Sequence, residues 1–293
     1  MKTIGDLGED ALIAKLCGGL SSSERVVVGP GDDCAVVEVG EKLILLKTDA
    51  VVEGVHYLPD EDSKRVGWKA VARVLSDFAA MGGEAAELLV TVAVSRDVEV
   101  EWLTDLYEGM QSCLEQFDGV IVGGETTSLP EGAPTMISIA GRGKVERERL
   151  VTRSGGKGGD GIFVTGRLGG SIKGKHLDFH PRLKEAAWLT RNFSLSAMMD
   201  LSDGLAKDLP RLARMSGCGF VIDEESLPCS EACSSQDALN DGEDYELLFT
   251  CADSEGLLKK WRAEFTDLPL TKIGELSENQ ESELEGGWDH FSK

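Results

Sequence analysis

The sequence predicts an α+β protein built from two mixed α/β domains, or one large one. Two observations carry that reading. Short Val-, Ile- and Leu-rich runs alternate with stretches of helical period but without a strict βαβ rhythm. The chain has 293 residues, and a charged and then glycine-rich stretch at 144–161 interrupts it. The boundary is placed near residue 148, giving an N-terminal domain of 1–148 and a C-terminal domain of 149–293.

Taken in order, residues 5–16 read as a short amphipathic helix with Leu7, Ala11, Leu12 and Leu16 on one stripe, stopped by Gly18-Gly19. Gly29-Pro30-Gly31 breaks the chain before Asp32-Asp33. A strand is predicted from Cys34 to Val39, a turn at Gly40-Glu41 and a second strand from Lys42 to Lys47, with Thr48-Asp49 at its exit. If the strands pair, Asp33 and Asp49 come near one another. A helix over 63–81 carries Val66, Ala70, Val74, Phe78 and Met81 on its apolar stripe. Asp77 sits among them, either as a ligand or in an i,i+4 pair with Arg73. Strands are expected at 88–94, 120–122 and 135–141, a helix at 99–116, and a tight polar turn at 123–127. In the second half the pattern gives strands at 162–165, 220–222 and 245–250, and the stretch 196–200 leads into Leu201-Ser202-Asp203-Gly204. Helices are expected at 181–191, from Gly204 to about Met215, and at 254–264.

Composition excludes several classes of function. The formal net charge of −22 repels nucleic acid and anionic membrane, and repels nucleotides unless metal ions intervene. No apolar run reaches the ~18 residues of a membrane span. The N-terminal stretch is acidic where a signal peptide is basic. A soluble, cytoplasmic protein is expected. Seven cysteines without a CxxC pair suit reduced thiols, and Cys229-x₃-Cys233 without a nearby His is not read as a zinc site. Two decoys are set aside. The run from Gly169 to His176 nearly matches a P-loop but ends in His where a hydroxyl must meet Mg²⁺, and Gly156–Gly161 precedes a strand instead of following one.

Acidic residues instead gather beside glycines and element ends: Asp32-Asp33, Thr48-Asp49, Gly124-Glu125, Asp200 to Asp203 and Gly242 to Asp244, with Asp77 in the helix. Carboxylates that converge repel unless a cation compensates, and Mg²⁺ takes one or two protein carboxylates together with substrate phosphates. The plainer readings are an N-cap for Ser202 or Asp203 and a turn former for Asp241.

The ordered motifs GDDCAVV, KTDAVVEGVHY, KAVARVLSDFAAMG, GGETTS, LVTRSG, MDLSDGLAKDL, GEDYELLFT and WDHF resemble the thiamine-monophosphate kinase family of the aminoimidazole-ribonucleotide-synthetase superfamily, across nearly the whole chain. The resemblance implies transfer of the γ-phosphoryl of ATP to thiamine monophosphate. It implies an N-terminal half that forms a β-barrel across a homodimer, a C-terminal α/β layer, and ATP with several Mg²⁺ ions between the halves. Asp33, Thr48, Asp49, Asp77, Asp200 and Asp203 match the family's metal ligands. Gly124, Arg153 and Ser202 match nucleotide contacts, as do Tyr107 on its helix and Glu125 beside Gly124. His56, Glu243 and Trp288 match positions that hold thiamine monophosphate.

The chemistry of these residues agrees. Phosphoryl transfer needs positioning and charge neutralisation more than covalent help. A phosphate acceptor, with a second pKa of ~6, needs no general base. Arg153 can fork onto phosphate oxygens, and Trp288 offers a face to a cationic thiazolium. The sequence departs from the family at Glu125, usually Asp and a metal ligand, and at Lys47, usually Ser. Strand alternation puts Lys47 on the side of Asp49, where its ammonium either neutralises carboxylate charge or extends to solvent. Two other readings stay open. One is another ATP-dependent enzyme of the superfamily, although a terminal Phe291-Ser292-Lys293 and a Cys17 inside a predicted helix fit the hydrogenase-maturation and selenophosphate relatives poorly. The other is a non-catalytic protein that binds divalent cations.

Overall fold

The computed structural model describes residues 2–279 and 282–291; Ser292 and Lys293 of the C-terminal comparison above lie outside them. Two sheets organise the chain. The first has six strands in the order β1-β2-β3-β6-β4-β5, comprising β1 (Val26–Val28), β2 (Ala35–Val39), β3 (Lys42–Val52), β4 (Glu84–Ser95), β5 (Val120–Leu129) and β6 (Met136–Val145). All of its pairs are antiparallel except β4 with β5. The second is wholly antiparallel, in the order β8-β10-β7-β11-β9, comprising β7 (Gly161–Thr165), β8 (Leu195–Asp200), β9 (Gly219–Ile222), β10 (Leu247–Cys251) and β11 (Leu270–Ser277). Among the described residues no closed barrel forms.

The helices are α1 (Glu9–Cys17), α2 (Ser63–Ala80), α3 (Val100–Leu114), α4 (Lys175–Asp178), α5 (Leu183–Asn192), α6 (Leu205–Met215), α7 (Ser235–Asn240) and α8 (Ser254–Glu264). α2 is the axis of the molecule. The Asp62 side chain caps it by accepting from Lys64 N, and 14 of its residues are buried. It packs on β3 and β6 of the first sheet, on β8 of the second, and along α3, α4 and α5. One core cluster accordingly runs through both halves, joining Val74 and Phe78 of α2 to Met198 of β8 and Phe249 of β10. A second core lies under α6, around Leu205, Leu209 and Leu212.

Several expectations are corrected. β3 continues to Val52 because β6 pairs with it as far as Val52↔Met136, so Thr48 and Asp49 lie inside the strand and not at its exit. The predicted turn at 123–127 is the middle of β5, held by parallel pairing from Glu87↔Val120 to Ser95↔Leu129. The stripe of α1 is not buried; Leu16 is 64% exposed, and the helix is tethered by Glu9 to Lys207 and by Asp10 to Arg211. β10 begins at Leu247, since Tyr245 has φ 50° and cannot extend the strand. β1, β8, α4, α7 and β11 were not foreseen. Among the described residues no helix is long and apolar enough to cross a membrane.

Candidate active site

α2 brings its charged face to the seam between the two sheets. Lys69, Arg73 and Asp77 follow one another at i, i+4 and i+8, with Ser76 beside Asp77, so one helical face presents all four. The apolar row Ala70, Val74 and Phe78 runs alongside, one residue further round the helix, and its packing in the core fixes the charged row at the seam.

Asp77 meets Asp33 from the loop before β2 and Asp200 from the end of β8. One ligand oxygen of each lies within 4.8 Å of the others, and all three residues are buried. Each has a tether from the chain. Lys47 Nζ lies 2.7 Å from Asp77 Oδ1, the Ser76 hydroxyl donates to Asp200 Oδ2 at 2.5 Å, and Arg153 pairs with Asp33. Among the described residues Asp33 Oδ2 is buried and finds no hydrogen-bond partner. Burial and the Asp33 charge push the Asp200 carboxyl up to about 6. Burial pushes Asp77 well above the carboxylate range against the pull of Lys47, with Asp200, Asp49 and Asp33 adding to the rise. Asp32 is likewise raised to about 6, by burial and by Asp33, while its carboxylate accepts from Arg153 N. The donor set fits a hard divalent cation: carboxylate oxygens only, mutually repelling, and one of them orphaned.

Asp49 is not part of this trio. Its carboxylate lies 3.3 Å from Arg73 Nε, so the i,i+4 alternative for Asp77 is replaced: Arg73 serves Asp49, and Asp77 takes Lys47. Thr48 lies on the exposed side of β3. Beyond the trio, Ser202 N and Asp203 N both donate to Asp208 Oδ2, at 3.0 and 2.9 Å. Asp208, which the sequence reading missed, is fully buried and raised to about 7 by burial and by Asp203. Asp203 pairs with Arg211 at 2.6 Å and Lys207 at 3.3 Å.

A cavity of about 260 Å³ adjoins this network, lined among others by His56, Arg73, Ser202, Glu243, Tyr245 and Trp288. Glu243 has φ 63°, a left-handed conformation for a side-chain-bearing residue, and its N–H donates to Ser202 O at 2.8 Å. Lys69, with no exposed surface, holds it: Nζ donates to Glu243 Oε2 at 2.7 Å and to His56 O at 2.6 Å. Burial brings the Lys69 ammonium down to about 8, against the attraction of Glu243. His56 Nδ1 accepts from Val52 N at 3.1 Å, and burial together with Arg73 lowers its pKa to about 4, so the ring is neutral with its proton on Nε2. Trp288 is 52% exposed at the rim, tied down by its backbone N–H, which donates to Asp203 O at 2.8 Å, and lies edge-on to His290. The decoy loop at 169–170 has its own carboxylates in place of a phosphate: Gly169 N donates to Asp244 and Gly170 N to Asp241.

Tyr107, Gly124 and Glu125 are not brought to this site. Tyr107 lies on an exposed groove of α3 with Val100, Leu103 and Ile121. Gly124 and Glu125 are exposed on the edge strand β5. Gly124 shares a cross-strand row with Asp49 through Val90 and Ile139. Three strand spacings separate them, or roughly 14 Å.

Comparison with known proteins places this geometry. The model of the AIR synthase related protein N-terminal domain matches residues 31–145, and that of the C-terminal domain matches 150–287. The thiamine-monophosphate kinase of Rhodopirellula baltica is 35% identical, covering 92% of this chain and 89% of its own. That of Escherichia coli K12 is 34% identical, over 97% and 98%. The solved structure of AaThiL complexed with AMPPCP and TMP superposes with a TM-score of 0.87 at 30% identity, covering 99% of each chain. The chain belongs to the AIR synthase related family and, within it, to the thiamine-monophosphate kinases.

Proposed function

We propose that the protein is a Mg²⁺-dependent thiamine-monophosphate kinase, transferring the γ-phosphoryl of ATP directly to the phosphate of thiamine monophosphate and releasing ADP. The observation that carries this is the buried Asp33–Asp77–Asp200 trio opening beside a cavity lined by His56, Glu243 and Trp288, in a chain similar over its length to kinases of that name. The relative solved with AMPPCP and TMP supports the same pair of ligands.

Two polyanions must meet in this reaction, and the acceptor phosphate is already ionised, so the demand on the protein is electrostatic. Asp33, Asp77 and Asp200, with Asp49 and Asp203 as further ligands, would hold Mg²⁺, and Glu125 would join them from a second copy; Thr48, on the exposed side of β3, is left out of this set. When bound, Mg²⁺ neutralises phosphate charge and polarises the transferred group. Arg153 is placed to leave Asp33 for a phosphate oxygen. Ser202, held by Asp208, orients the nucleotide side. Neutral His56 offers its Nε2–H to the substrate phosphate or ring, Glu243 is locked by Lys69 as an acceptor, and Trp288 covers the cationic thiazolium.

The reading includes a homodimer. The exposed edge strand β5, with Val120 and Val122 more than half exposed, has an open hydrogen-bonding edge. Pairing it with a second copy closes the sheets into a barrel and delivers Gly124, Glu125 and Tyr107 to the neighbour's nucleotide site. The expected compartment is the cytoplasm. The test is chromatographic detection of thiamine diphosphate from thiamine monophosphate, ATP and Mg²⁺. Folded protein that forms none, or that only hydrolyses ATP, would sink the assignment.

A further inference from the structure

Lys47 is placed by the packing of α2 on the sheet. Its cross-strand partner is Gly141 of β6, where a β-carbon would stand 2.6 Å from Val74 and 2.9 Å from Phe78. The helix therefore sits directly on the strand beside Lys47, and Asp77, one residue before Phe78, comes within 2.7 Å of the ammonium. The groups that face Lys47 are Asp77, Asp49 and the buried Cys34 thiol. An ammonium 2.7 Å from a carboxylate oxygen stands here as a cation. Of the three tethers on the trio, the Ser76 hydroxyl is neutral and Arg153 is a long guanidinium on a loop; Lys47 is a compact point charge on a central strand.

We propose that the Lys47 ammonium is a resident cation of the acidic site. It occupies one cation position against Asp77 Oδ1, leaves the other Asp77 oxygen for metal, and so reduces by one the divalent ions that the site takes up. Three carboxylates within 4.8 Å cannot all be charged without compensation. An ammonium fixed on the strand supplies part of it before any ion arrives, and its charge then repels a divalent ion from that same oxygen. The inference rests on the reading of the trio as a divalent-cation site.

The test counts ions. Full-length protein with AMPPCP is titrated with Mn²⁺, free Mn²⁺ being read by electron paramagnetic resonance, for wild type, Lys47→Ser and Lys47→Arg. Lys47→Ser is expected to bind one more Mn²⁺ per chain, and Lys47→Arg the wild-type number. In thermal melts, Lys47→Ser in EDTA should lose several degrees, because Asp77 is left unpaired, and Mg²⁺ should raise its Tm by more than it raises that of wild type. If Lys47→Ser folds only with Mg²⁺, the proposal is supported in a stronger form. If it folds in neither condition, the nearly isosteric Lys47→Gln is titrated instead, with the same expectation. A serine or glutamine variant with the wild-type ion count and Mg²⁺ response overturns the role of Lys47, as does an extra ion in Lys47→Arg. Wild type that binds no Mn²⁺ beyond what AMPPCP itself holds would overturn the metal reading instead, so the two failures are distinct.

Discussion

Asp200 shows what a single side chain does at this site. It accepts from Ser76 and faces Asp33 and Asp77, and its raised pKa expresses burial and like charge. Asp200→Asn keeps the size and the acceptor oxygen but removes a charge. Formation of thiamine diphosphate should fall by roughly 10²–10³-fold, since charge aimed at the transferring group is lost. The Tm in EDTA should hold or rise, because a repelling carboxylate is gone. A wild-type rate would remove Asp200 from the site. Lys69 makes the complementary case. It is buried, and it holds Glu243 in a strained backbone conformation. Lys69→Met should raise KM for thiamine monophosphate by ~10-fold or more, the equivalent of a lost charged hydrogen bond, with little change in KM for ATP. Equal changes in both constants would show that Lys69 supports the fold and not the acceptor pocket. The sequence singles out Asp33, Asp77 and Asp200 as acidic residues at turns and in a helix, and the structure brings those three together, whereas His56, Glu243 and Trp288 are implied by the family resemblance alone. Lys69, Arg73 and Asp208 were not legible in the sequence, because periodicity gives a residue's face but not the partner across the seam.

At the scale of elements, helices with both a cap and an apolar stripe were legible: α2 and α8 lie within a residue of expectation. β5 was not, since Gly-Gly-Glu-Thr-Thr reads as a turn. Its glycines answer to close approach instead: a β-carbon on Gly124 would lie 1.9 Å from Val90 O of the neighbouring strand. The same physics joins α2 to α3. A β-carbon on Gly109 would lie 1.9 Å from Lys64 O, and one on Gly67 would lie 2.0 Å from Leu106 O. Backbone cannot yield as a flexible side chain can, so the helices must separate to admit a methyl group. Gly109→Ala should therefore destabilise the protein by about 1–3 kcal/mol, in spite of the better helix propensity of Ala, measured as a lower urea midpoint with an unchanged m-value. A neutral or stabilising effect would mean that α3 slides freely on α2.

For the whole molecule, net charge and site chemistry lead to one consequence. The chain carries −22, and part of that charge is crowded into the seam between the sheets. Asp32, Asp200 and Asp244 are raised to about 6, each mainly by burial, and Asp208 to about 7. An unfolded Asp titrates near ~3.9. Between that value and the folded pKa, the folded chain holds protons that the unfolded chain has released. Stability from these groups is thus lost as pH rises through about 6 to 7 and regained on acidification. His56 has the opposite sign. Its folded value of about 4 lies below the ordinary 6.5, so it costs stability only as pH falls below that ordinary value. In EDTA, Tm should therefore change little from about pH 8 to about 7 and increase as pH is lowered below that toward about 4.5, with His56 offsetting only part of the gain from the four carboxylates. Saturating Mg²⁺ should weaken or reverse the slope, because a carboxylate must give up its proton to hold a metal. Calorimetric melts across this range, with and without Mg²⁺, measure both slopes. A metal-free Tm that climbs with pH would mean that these carboxylates are already paired in the fold, and a slope unaffected by Mg²⁺ would mean that the ion binds elsewhere.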